Sequence, residues 1–183
     1  MRKEMKKWIL AFGVLLVVIL ATGCGSASGN EKETQEEQPV VVEDHSTIQK
    51  LGESIFWAIR KNDAAQLGKY NMTLDDLSWT KTNMGETDQS YEQSYIPNIL
   101  SKPQNTVAAI RRQFAERGLT DWSTTTFDRL VYKSDTKNGV AIARRAKIHF
   151  TNGTRAGVID FPYAYESPRG WLLSREPDYY TYK

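Results

Sequence analysis

The stretch "AKIHFTNGTRAGVIDF", residues 146–161, sets two alternating runs on either side of an Asn-Gly pair. Asn152-Gly153 is a hairpin signal, because a type I′ turn needs positive φ at both central positions and this pair tolerates it. With that turn, Thr151 faces Thr154, Arg144 faces Phe161 and Arg145 faces Asp160. Val140, Ile142, Arg144, Ala146, Ile148 and Phe150 then share a face with Phe161, Tyr163 and Tyr165. Only that face is apolar enough to pack on helices.

Period-two texture extends in both directions. "TTTFDRLVYKS", "GVAIARRAKIHF", "TRAGVIDFPYAYE" and "GWLLSRE" are four strand candidates, separated by "DTKNG", "TNGT" and "SPRG". Connections this short allow only antiparallel pairing. Upstream the period becomes helical. "STIQKLGESIFWAIRKND" places Ile48, Leu51, Ile55, Ala58 and Ile59 on one stripe behind a Ser46/Thr47 cap, and "AAQLGKYN" reads as a short second helix. "QNTVAAIRRQFAERG" puts Val107, Ile110 and Phe114 on one face and stops at Gly118. Between them, residues 72–103 mix polarity and carry two prolines, which reads as a short element and a long loop. Helices first and an antiparallel meander after them make an α+β domain. The expected architecture is N-terminal helices packed on a curved sheet of four to six strands.

The start of the chain has a different character. "MRKEMKK" is a basic segment, Trp8 to Leu20 is an apolar run without a charge, and small residues follow. That order is a secretory signal peptide over residues 1–23. The only cysteine, Cys24, comes next, followed by the polar, acidic "GSASGNEKETQEEQPVVVEDHS". Without a second cysteine, no disulfide within the chain explains it. Residues 24–45 have the composition of a disordered acidic tether, and residues 46–183 form a single domain. The net charge is +2, but residues 24–47 carry six acidic side chains against Lys32. A mildly basic domain therefore sits on an acidic leash, with no basic block suited to nucleic acid.

Two resemblances follow from these residues. "LATGC", residues 20–24, resembles the lipobox of bacterial lipoproteins, with Ala21 at the place where leucine is usual. It implies that Cys24 takes a diacylglycerol, becomes the first residue, and holds the protein at the outer side of the cell membrane. Residues 46–176, from "FWAIRKNDAAQLGKY" to "GWLL", resemble the cystatin-like cone fold in element order. That fold is shared by nuclear transport factor two, ketosteroid isomerase and many small bacterial lipoproteins. It implies a curved sheet wrapped around helices with a cavity open at one end. No residue motif of an enzyme in that group can be carried over.

Candidate sites are few. His149 and Asp160 fall on the outer face, His45 lies in the tether, and there is no nucleophile elbow, phosphate loop, metal-ligand spacing or cofactor motif. Trp57 lies opposite Ile48 and Ile55, among Lys50, Glu53, Arg60 and Lys61. Either residues 71–100 or the tail "DYYTYK" cover it, or it anchors a partner. Arg144 is the one charge on the apolar face. It is paired with a residue such as Glu53, stacked on Phe161, or set at the cavity mouth beside Tyr163 and Tyr165 to meet an acidic group. The expectation is a lipid-anchored, non-catalytic binding or assembly module for an envelope protein or a small apolar ligand. A cavity enzyme of isomerase or dehydratase type, and a structural accessory subunit, are the alternatives.

Overall fold

The computed structural model describes residues 44–88 and 90–183. The expected signal peptide, Cys24 and nearly all of the expected tether lie outside these residues. No helix among them is long and apolar enough to cross a membrane. The domain is α+β, as its periodicities require. Helices α1 (Ile48–Arg60), α2 (Ala64–Lys69), α3 (Leu74–Met84), α4 (Ser90–Tyr95) and α5 (Pro103–Ala115) precede strands β1 (Thr125–Lys137), β2 (Val140–Asn152), β3 (Arg155–Ser167), β4 (Gly170–Leu173) and β5 (Asp178–Tyr182). The strands form one antiparallel sheet in the order β1-β2-β3-β4, with β5 also paired to β3. β4 takes the end of β3 from Ala164 to Ser167, and β5 takes Gly157 to Asp160.

Local chemistry explains the helices. Thr47 accepts the Lys50 N–H at 3.2 Å and starts α1. Gly52 lets α1 approach β1, since a Cβ there would stand 3.0 Å from Leu130. Pro103 begins α5, where its missing N–H has no helical partner to lose. Residues 71–100 are more ordered than their sequence suggests. Thr73 and Asp76 form a reciprocal capping box at the head of α3, and Gly85 (φ 70°) ends it. α4 then widens into a π-helical turn over Ile96–Leu100, where the Ser101 N–H reaches the Ile96 carbonyl at 3.0 Å. Pro97 has no N–H for the preceding turn and its ring crowds that turn's carbonyl, which favours the wider winding.

The β2–β3 turn differs from expectation. Asn152 pairs with Arg155, so Gly153 and Thr154 are the loop. Of the two, only Gly153 has positive φ (59°), the pattern of a type II′ turn. The type I′ pattern falls instead on Asn138 (φ 48°) and Gly139 (φ 85°), between β1 and β2. Moving the register by two residues keeps side-chain parity but changes partners. Arg144 faces Tyr163 rather than Phe161, and Asp160 faces Lys147 rather than Arg145.

A second difference is larger. Ala143 and Ala146, three residues apart, both lie in the main core, as do their partners Ala164 and Phe161. Strict alternation would put them on opposite faces. The interruption is Arg145, held at φ 53°, where the β1–β2 register also shifts between Val131 and Lys133. Beyond this bulge, Val140 and Ile142 leave the main core and join Met84 of α3 in a separate cluster, with Tyr163 and Tyr165 against it. One half of the sheet packs on α1 and α5, while the other turns the face bearing Val140, Ile142, Tyr163 and Tyr165 toward α3.

The chain enters the fold earlier than expected. His45 is fastened to β4: the Trp171 N–H donates to its carbonyl at 2.8 Å, and its Nδ1–H donates to the Trp171 carbonyl at 3.0 Å. Its ring lies edge-on to Tyr70, 5.6 Å between centroids.

Candidate ligand-binding sites

A cone domain would offer the concave side of its sheet as a chamber, and here aromatic rings occupy it. Phe150 lies 5.6 Å from Phe56, 5.3 Å from Phe114 and 5.5 Å from Trp122, centroid to centroid. Phe56, Phe114, Phe150, Phe161 and Tyr70 are fully buried. Gly157, paired with Phe150, makes room for the ring, because a Cβ there would come within 2.1 Å of it.

Arg144, Tyr163 and Tyr165 are brought together outside this interior. The Arg144 guanidinium lies 5.7 Å from the Tyr163 ring centre and pairs with Asp135 of the neighbouring strand at 2.7 Å. Glu53 and Phe161 are therefore not its partners. Tyr163 and Tyr165 stack with planes 10° apart. Burial raises the Tyr165 phenol above its ordinary pKa, with Lys81 pulling the other way and Glu86 and Glu92 adding to the rise. Those carboxylates are engaged: Lys81 Nζ holds Glu86 at 2.7 Å and Glu92 at 3.3 Å, and Lys137 holds the other oxygen of Glu86. The acidic groups nearest the tyrosines thus neutralise a buried lysine and tie α3 and α4 to the end of β1.

Trp57 is half-buried and separate from these tyrosines. It meets Phe56 edge-on, and Arg60 of its own helix covers it at 4.5 Å. The tail "DYYTYK" supplies β5, with Tyr180 exposed under the Lys147 ammonium. His149 and Asp160 lie on the outer sheet face, and among the described residues no hydrogen bond joins them. Burial pushes the Asp160 carboxyl up, opposed by Lys147 and aided by Asp178 across β5. Burial and Arg129 push His149 down. No cluster of three or more His, Cys, Asp or Glu suited to a metal ion occurs among the described residues.

Open space lies on either side of the π-helical turn. The smaller pocket, about 300 Å³, is walled by Met72, Leu74, Ile96, Pro97, Leu100 and Pro103. Asn71 lines it, with Nδ2 donating to the Leu100 carbonyl at 2.6 Å and Oδ1 buried without a partner. Leu74, at its edge, is 47% exposed. The larger pocket, about 440 Å³, lies between α5 and the segment joining β4 to β5. Neither pocket was legible in the sequence, because each has walls supplied by the π-helical turn at Ile96–Leu100. The available signal was Pro97 inside an otherwise helical run. Comparison with protein-family models, curated proteins and solved structures finds no match for this chain.

Proposed function

We propose that the protein is a lipid-anchored extracytoplasmic module that binds a partner without chemistry of its own. The observation that carries this is the filled interior of the cone. A reaction chamber needs space and a convergent acid and base, whereas Phe150 and its neighbours take the space and His149 and Asp160 face outward. The apolar pocket beside Leu74 offers a place for a small apolar ligand or for an apolar side chain of an envelope protein. Arg144, with Tyr163 and Tyr165, offers a second contact surface on the far side of the bulge. Cys24 is the proposed attachment point, two acyl chains giving the stable anchoring that one would not.

The test is capture from membranes of the native host with full-length protein as bait, beside Leu74→Asp and Arg144→Met. The Arg144–Asp135 pair is exposed on both sides, so its loss costs at most about 1 kcal/mol. Both variants should melt close to the wild type. A specific partner that Leu74→Asp loses supports the pocket. Equal capture by all three baits removes both surfaces from the proposal.

A further inference from the structure

The larger pocket has a lining unlike the apolar one. Its walls carry Lys102, Glu176 and Asp178, the carboxamides of Asn98, Asn105 and Gln113, and the apolar faces of Ile99, Ala109, Ile110 and Pro177. Glu176 is held in place: buried Thr106 donates to its Oε2 at 2.9 Å, and its backbone N–H donates to the Tyr95 hydroxyl at 3.2 Å. Lys102 makes no ion pair among the described residues. Gln113 Oε1 is buried in the wall with no hydrogen-bond donor. A protein rarely leaves such an acceptor unfilled without water or a ligand to supply the proton.

This combination is selective about ligand chemistry. One cation is too few for a nucleotide or a phosphorylated sugar, whose recognition gathers several. The lining includes no aromatic platform for a sugar face or a planar ring. Seven polar or charged side chains exclude a plain acyl chain. Glu176 is fixed by its hydrogen bonds, whereas Asp178, exposed at the start of β5, already accepts the Tyr179 N–H. With one free ammonium, several carboxamides and apolar patches, the lining fits a molecule with an ammonium, a carboxylate and an amide. We infer that this pocket binds a short peptide with both termini free. Its α-ammonium meets Glu176, its α-carboxylate meets Lys102, and its peptide N–H meets the Gln113 oxygen once that side chain turns toward the ligand. The pocket is not the one beside Leu74, so the two proposals stand or fall separately.

The experiment is isothermal titration of the detergent-solubilised full chain with the dipeptide Ala-Leu, its N-acetyl form and its C-terminal amide. Ala-Leu should bind with a Kd below about 1 mM, and each blocked form should bind at least tenfold more weakly. Glu176→Gln keeps an acceptor for Thr106 and should lose the tenfold advantage of the free ammonium. Lys102→Met should bind Ala-Leu and its amide equally. Circular dichroism of both variants checks that they are folded, and Leu74→Asp should bind Ala-Leu like the wild type. Absence of heat with Ala-Leu at 10 mM overturns the inference. So does binding that blocking either terminus leaves unchanged, or that Glu176→Gln leaves unchanged.

Discussion

Gly157 of β3 stands opposite Phe150 of β2, and the missing side chain is what lets that ring fill the domain. A methyl group at Gly157 would lie 2.1 Å from Phe150 Cζ, a distance that no small adjustment relieves in a packed aromatic core. Gly157→Ala should therefore destabilise the fold by about 2–3 kcal/mol, read by urea denaturation. Adding Phe150→Leu should recover part of that loss, and an additive result would mean the ring is not the obstacle. Asp76 makes a different kind of prediction. Burial alone would raise its carboxyl, but hydrogen bonds from Arg169 and Thr73 outweigh burial and hold it below the ordinary range. Arg169 Nε and a terminal nitrogen both donate to it, at 2.9 and 2.6 Å. A depressed pKa means that the fold favours the charged form. Its stabilisation is complete above the unfolded aspartate value, about pH 4, and is lost as pH falls through the lower folded value. Arg169 is itself half exposed, so screening trims the pair, and Asp76→Asn should cost about 1–2 kcal/mol at pH 7. The gap between variant and wild type should close toward pH 2, and a constant gap would show that the charge is not what matters.

At the scale of elements, the two long helices and the strand order were legible because their periodicities are clean. Thr47, Ile48, Leu51 and Ile55 announce α1, and Val107, Ile110 and Phe114 announce α5. The α3 capping box was present in the sequence as Thr73 and Asp76, but mixed polarity behind it masked the helix. The β-bulge at Arg145 was not legible at all. Alternation predicts one face for Val140 through Phe150, and nothing in "ARRA" says that the face changes there. The structure pays for that change with an arginine at φ 53°, a conformation that disfavours any side chain by roughly 1 kcal/mol. Glycine adopts it freely but loses more freedom on folding. Arg145→Gly should accordingly stay within about 0.5 kcal/mol of the wild type. Arg145→Val, β-branched at the same φ, should cost about 2 kcal/mol or more. If both variants proved equally stable by chemical denaturation, the bulge would not require the left-handed conformation. The candidate surfaces depend on such irregularities. Arg144 faces Tyr163 because the Gly153-Thr154 turn sets the β2–β3 register, and both pockets are lined by residues of the Ile96–Leu100 turn.

The whole molecule is a small domain that we propose to be lipid-anchored, a reading in which its surface matters more than its interior. The hydrogen bonds between His45 and Trp171 fasten the first described residues to β4. If Cys24 is an attachment point for lipid, its substitution should leave the folded domain intact. Cys24→Ser should leave an unprocessed, full-length precursor that takes no lipid label, while its domain melts within about 1 °C of the wild type. Mass spectrometry of the wild type should find residues 1–23 absent and the mass of Cys24 increased by a diacylglycerol. An unmodified Cys24 in a full-length chain would remove the anchor, and with it the argument that places this domain at the membrane surface.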